Sequence, residues 1–282
     1  MTIVADLPLS RCESLSIGRA AVRALHRELM LYPKPGLVSP IDNGSHDDMD
    51  LHTFLRSIFS LRRYFTAIAA TGAESAPFGV LQQLGIEAER RMLAATGGVN
   101  THRGAIFCLG LLAAAAGWRQ RRGLGADAEA LADTVVNLWG EGLREAGRKA
   151  AGSHGRRAIQ HYGARGAREE ALAGFPTLVG VALPTLRSTI NRLGCPERAR
   201  VQTLFAIMAE LQDTNLLHRG GPDALSFVQQ AARRFLEGGG VYSHGWRSRA
   251  LALHGDCVAL HLSPGGAADT LAAACFLHEL QA

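Results

Sequence analysis

Apolar residues recur at helical spacing along nearly the whole chain. Val22, Leu25 and Leu29 share one face, and Pro33 ends that segment. Leu51, Phe54, Leu55, Ile58, Leu61, Phe65 and Ile68 form a long stripe that Gly72 closes, and Leu81, Leu84, Ala88 and Met92 form another. Ala105 to Ala116 is apolar almost all round, which predicts a central, buried helix. Asp127 is a candidate cap for a helix through Leu131, Val135, Leu138 and Trp139. Pro196 and Pro222 suit first helical positions, opening stripes through Val201, Leu204, Phe205, Met208 and Leu211 and through Leu225, Val228, Ala232 and Phe235. A last helix follows Pro264 and carries Leu271, Ala272, Cys275 and Phe276. Asp256 to Leu262 is the one fair strand candidate, and it reads equally as helix. The pattern predicts an all-α fold: a single compact domain of roughly ten helices over residues 1–282, with residues 1–13 disordered and the Gly-rich region Gly147 to Gly174 as a mobile stretch.

Composition narrows the class. Of 282 residues, 47% are hydrophobic and 20% charged, as in ordinary globular proteins. The formal net charge of +5 favours anionic partners without choosing among nucleotides, CoA derivatives, nucleic acid and membrane surfaces. Five scattered cysteines, odd in number and without a CxxC, argue against a disulfide framework or zinc ribbon and for a reducing cytoplasm. The start of the chain lacks the form of a signal peptide, and the longest apolar stretch falls short of the roughly 20 residues that span a bilayer.

Five polar connections are richer than a helical bundle needs. Pro33 to Pro40 leads into Asp42-Asn43-Gly44-Ser45-His46-Asp47-Asp48-Met49-Asp50, where carboxylates crowd a helix start. Capping accounts for one or two of them; a His with three fits hard-oxygen ligation of Mg²⁺. Gly97-Gly98-Val99-Asn100-Thr101-His102-Arg103-Gly104 feeds the most apolar helix, combining close backbone approach with free N–H groups, with Asn100 or Thr101 as the alternative N-cap. Arg165 and Arg168 are spaced to clamp phosphates, or form a solvated charge run. Asp213-Thr214-Asn215 follows the Val201–Leu211 stripe, where an Asp at a helix C-terminus opposes the macrodipole and points to a ligand role; the structural alternative is a C-cap, with Gly220 and Gly221 ending the helix. Ser263-Pro264-Gly265-Gly266-Ala267-Ala268-Asp269 has the form of an anion cradle and of an ordinary capped start. No GxxxxGK[ST], GxGxxG after a strand, HExxH or GxSxG is present.

Taken together and in this order, these motifs resemble the triphosphoribosyl-dephospho-CoA synthase family. The resemblance spans nearly the whole chain. The wording from Ser39-Pro40 to His46 and the chain length look more like the malonate decarboxylase branch than the citrate lyase branch, and no nucleotidyltransferase domain is fused on. Arg103 stands where the citrate lyase branch usually has Lys, and Ala267 where it has Ser, which speaks against a catalytic side chain at 267.

The resemblance implies that the ribose 2'-hydroxyl of 3'-dephospho-CoA attacks C1' of the ATP ribose, adenine leaving and the triphosphate being retained. By analogy with glycosidases, an oxocarbenium-like transition state is expected. Mg²⁺ with Asp48 and Asp213 as ligands, helped by Lys34, Arg103 and Arg219, would hold the triphosphate. His46, His102 and Asp269 are the candidates for moving protons, in an order the sequence leaves open. Asn43, Asn100, Thr101, Arg165, Asn215 and Ser263 are expected substrate contacts, with Gly265 and Gly266 offering backbone N–H groups. The active site is then built from Gly-rich loops at helix ends, converging on one face of the bundle. The implied product passes to a separate acyl-carrier transferase; no nucleic acid or membrane takes part, and a homodimer is compatible. The rival readings are a basic helical nucleic-acid binder, which predicts an Arg/Lys stripe along an exposed helix, a helical scaffold without catalysis, and the same chemistry serving citrate lyase.

Overall fold

A computed structural model describes residues 11–149 and 165–281. Residues 1–10 and 150–164, which include parts of the expected disordered start and of the expected mobile stretch, lie outside the described residues. Eleven α-helices and no strand occur among the described residues. They are α1 (Arg11–Leu29), α2 (Leu51–Ala73), α3 (Phe78–Ala95), α4 (Arg103–Arg121), α5 (Ala128–Lys149), α6 (Ala167–Leu172), α7 (Leu183–Leu193), α8 (Pro196–Glu210), α9 (Thr214–Glu237), α10 (Trp246–Ala259) and α11 (Gly265–Leu280). A π-helical turn, Leu178–Ala182, runs directly into α7. No helix among the described residues is long and apolar enough to cross a membrane.

The apolar stripes become the core. α4 is buried nearly all round because α1, α2, α3, α5 and α11 all pack on it. The α2–α4 seam is the most extensive helix–helix contact among the described residues. A Cβ on Gly72 would lie 2.3 Å from Ala114 O, and one on Gly117 would lie 2.1 Å from Ala69 O. Gly72 stands one residue before the end of α2, as expected, and is also one of the residues that let the two backbones touch. Tyr64 crosses the same seam, its hydroxyl donating to Ile106 O at 2.9 Å. This packing fixes where the first turn of α4 sits.

Several expectations change in detail. Residues 11–13 belong to α1 and are not disordered. The Asp256 to Leu262 segment is the end of α10 and the turn after it, not a strand. Asp213 does not end a helix. α8 stops at Glu210, and Asp213 is the N-cap of α9, where the macrodipole favours it. Gly220 and Gly221 leave helical geometry inside α9, and Pro222 restarts the helix after the kink.

Replacing Gly117 by Ala reverses the usual gain from removing a helical glycine. The added methyl must push α2 and α4 apart, costing about 1–3 kcal/mol of stability in urea unfolding.

Candidate active site

The loop after α1 is bound to the opposite side of the fold. Lys34 is buried, and its ammonium donates to Glu28 O at 2.9 Å and to Glu28 Oε1 at 2.7 Å. Burial lowers its pKa, and the charges of Glu28 and Asp42 oppose the shift. The Ser45 hydroxyl lies 2.6 Å from Leu262 O. Arg219 closes the junction, donating to Ser45 O at 3.2 Å, to His261 O at 2.9 Å and to His46 Nδ1 at 3.1 Å. In this arrangement Arg219 and Lys34 hold loops together.

The Arg219 contact sets the tautomer of His46. A guanidinium only donates, so Nδ1 accepts and the ring proton sits on Nε2, directed at Ser263 Oγ 2.9 Å away. Burial and Arg219 depress the His46 pKa to about 4, against the pull of Asp48. With both ring nitrogens engaged, His46 orients Ser263, whose hydroxyl keeps its own proton to donate. Ser263 is thus occupied by His46 and does not cap α11.

A second polar chain enters α4. Thr101 Oγ1 donates to Ser57 Oγ at 2.7 Å, and Ser57 Oγ lies 2.7 Å from His102 Nδ1. Ser57 then has its own proton to give, and Nδ1 accepts it. The His102 proton is left on Nε2, a buried atom without a protein partner. Burial, with the Lys34 charge second, drops the His102 pKa to about 3. His102 occupies the N-cap position of α4 but caps nothing with its side chain. Asn100 does that work, its Oδ1 accepting from Arg103 N at 3.2 Å.

Two carboxylates, Asp213 buried and Asp269 half-buried, line the cavity at helix starts. Asp213 Oδ1 accepts from Asn215 N at 2.9 Å, and Oδ2 accepts from Ala267 N at 3.0 Å. Burial raises its pKa, and these donors oppose the rise. Asp269, on α11, lies against the first turn of α4: a Cβ on Gly104 would fall 2.0 Å from Asp269 Oδ2. Burial raises the Asp269 pKa well above the usual carboxylate range. The charges of Glu28 and Asp213 add to the rise, and the Ala105 N–H works against it.

These groups surround a cavity of about 1010 Å³. Lys34, His46, Asn100, Thr101, His102, Arg103, Arg165, Asp213, Asn215, Arg219, Ser263, Gly265, Gly266 and Asp269 all line it. Asn43 and Asp48 do not, and the Asp48 side chain is 64% exposed on the outer side of His46. The structure therefore does not bring Asp48 and Asp213 to one wall. Gly44, Gly97, Gly98, Gly220 and Gly221 are also absent from the lining. Arg103 pairs with Glu89, and Arg165 lies exposed at the rim with its backbone N–H donating to Gln212 Oε1. Among the described residues no group of three or more His, Cys, Asp or Glu side chains is placed to hold a metal ion alone. Asp213 on the cavity wall fits the one or two carboxylates through which Mg²⁺ binds alongside substrate phosphates.

Residue patterns overlooked four contributors. Glu28 sits on α1, Ser57 on α2, and Arg144 and Arg148 on α5. Ser57 had a signal, a polar residue on the apolar face between Phe54 and Leu61, and the i,i+4 arginines had another.

Residues 14–282 match the family model described as ATP:dephospho-CoA triphosphoribosyl transferase. The chain belongs to the ATP:dephospho-CoA triphosphoribosyl transferase family. A relative from Acinetobacter calcoaceticus, named a probable 2-(5''-triphosphoribosyl)-3'-dephosphocoenzyme-A synthase, is 41% identical over 95% of this chain and 92% of its own length. Relatives from Pectobacterium atrosepticum and Klebsiella pneumoniae, named as the synthase, are each 39% identical, covering 95% and 98% of this chain and 90% and 93% of their own lengths. Membership in the family makes this protein an enzyme of the synthase type. No solved structure matches the chain.

The His102 arrangement predicts a pH signature. In the folded chain His102 stays neutral down to about pH 3, whereas an unfolded chain protonates its histidines below about pH 6.5. Acidification therefore costs the wild type stability that a His102→Gln variant does not lose. The wild type's stability relative to the variant should fall by about 1.4 kcal/mol per pH unit between about pH 6 and 4 in urea titrations. Parallel pH profiles would contradict the buried neutral imidazole.

Proposed function

We propose that this chain transfers the 5-triphosphoribosyl group of ATP to the ribose 2'-hydroxyl of 3'-dephospho-CoA, releasing adenine, and that it serves malonate decarboxylase. The observation that carries the reading is the meeting of Asp213, Asp269 and His102 on one cavity in a chain of this family. The 2'-hydroxyl oxygen bonds to C1' of the ATP ribose, and the C1'–N9 bond breaks with its electron pair leaving on the purine. Asp269 accepts the 2'-hydroxyl proton. Its raised pKa makes it a stronger acceptor than an ordinary carboxylate. The unpartnered His102 Nε2–H is the donor for the departing purine, and a neutral imidazole there hydrogen-bonds without giving up its proton. Adenine leaves as the N9 anion held by that hydrogen bond and takes up a proton from solvent, and protonated Asp269 returns its proton to solvent, so that the net change is one proton moved from the 2'-hydroxyl to adenine.

Ser263, aimed by His46, and the α11 start at Gly265 and Gly266 suit phosphate oxygens. Mg²⁺ held by Asp213 with the triphosphate would supply countercharge in that region. Lys34 and Arg219 act at one remove, by fixing the loop that carries His46. Asn100 and Thr101 act the same way on His102 and Arg103. The loop wording from Ser39 to His46 supports the malonate decarboxylase branch, with citrate lyase as the alternative; genes beside this one distinguish the two. A separate transferase then moves the product to the acyl carrier protein, in the cytoplasm.

Incubation with ATP, Mg²⁺ and dephospho-CoA should release free adenine, measured by chromatography. Asp269→Asn should lower the rate about 10²–10⁴-fold, the range for loss of a general base. The wild-type rate should fall on the acid side at a higher pH than an ordinary carboxylate would give, because the base must be ionised and its pKa is raised. ADP in place of adenine would sink the reading.

A further inference from the structure

The cavity has a second limb that the chemistry above leaves empty. Its wall is one face of α3, where Phe78, Leu81, Gly85, Ile86 and Glu89 recur at helical spacing. Those eleven residue steps run about 16 Å along the helix axis. Phe107 and Leu111, one and two turns beyond Gly104, form the facing wall on α4. The limb thus starts beside Asp269 and runs away from it, turning from polar to apolar. The limb opens to solvent near its start, at Ile86, which is 46% exposed and lies one turn from Glu89.

Gly85 is the telling residue. It lies inside α3, where glycine weakens a helix. No neighbouring backbone requires it: a Cβ there would meet only the Tyr64 hydroxyl, at 3.7 Å. This differs from Gly72 and Gly117, which are wedged against another helix. What Gly85 provides is width in the limb. Arg144 and Arg148, exposed on α5, line the same cavity and bring positive charge to its rim.

We infer that this limb binds the pantetheine chain of dephospho-CoA, with Arg144 and Arg148 meeting the diphosphate that joins the chain to its nucleoside. The inference rests on the proposed function for its ligand. A largely apolar wall that runs away from the reacting end matches the extended, flexible pantetheine chain, whose thiol takes no part in the reaction. A purine is far shorter than the α3 wall and would leave most of it bare. Arginines at the rim suit phosphate oxygens through bidentate contacts.

The test is direct binding by calorimetry, with dephospho-CoA and ATP titrated separately into wild type, Gly85→Ala and Gly85→Leu. Leucine is a strong helix former, so α3 is retained while the limb is filled, and thermal melting verifies the fold. Gly85→Leu should weaken dephospho-CoA binding about tenfold or more and leave ATP binding within about twofold of wild type. Gly85→Ala should behave like wild type. Unchanged dephospho-CoA affinity in a folded Gly85→Leu protein overturns the inference. Loss of ATP affinity in its place overturns it too, by putting the purine in the limb. If this binding pattern holds but the wild type releases no adenine, the limb assignment stands and the proposed reaction fails.

Discussion

The Asp213 carboxylate joins the start of α9 to the start of α11, accepting one backbone N–H from each. Both helices leave orphan N–H groups at their first turns, and a buried anion satisfies two of them at once. Asp269, one turn into α11, is thereby aimed at the first turn of α4, which has no Cβ at Gly104 to exclude it. Three helix starts therefore meet around two carboxylates. Their positive ends offset the cost of burying that charge, and the incomplete offset leaves both pKa values raised. In the proposed reaction the helix starts would attract phosphate and the Asp213 carboxylate would attract its counter-ion.

The rest of the molecule serves that junction. The wedged glycines of the α2–α4 seam fix the height of the α4 start, and the Thr101–Ser57–His102 chain fixes the imidazole on it. Arg219 fixes the loop from the other side by gripping Ser45, His46 and His261 together. Cations that would suit a triphosphate are used first as structural clasps, and the free donors in the cavity are hydroxyl, imidazole and backbone N–H groups. Arg144 and Arg148 of α5 and Arg165, just before α6, also line the cavity and are exposed.

The helices were readable because a buried face repeats every three or four residues, and the stripes at Leu51–Ile68 and Ala105–Ala116 mark α2 and α4 closely. The site was readable as a set of unusual loops, but not as an arrangement. Asp48 stood out through its crowded neighbours, yet that crowding reflects a capped, solvated helix start: Asp50 caps α2 by accepting from Thr53 N at 2.7 Å. Asp213 was singled out for the wrong reason, because the Val201–Leu211 stripe gives no mark of its end, and a C-terminal carboxylate and an N-cap look alike in one dimension. Ser57 was hidden by its apolar neighbours, since its partner lies 45 residues away. Glu28 was lost in the last turn of α1 for the same reason, its meaning depending on where Lys34 returns. Local periodicity is written in the sequence, whereas contacts across the fold exist only once the helices have packed.

The central claim is that one carboxylate couples two helix starts. Hydrogen–deuterium exchange on Asp213→Ala tests it most directly. The account predicts faster exchange at the first turns of α9 and α11 together, with the α2–α4 seam protected as in wild type. Faster exchange at α9 alone, with the α11 start unchanged, would contradict it.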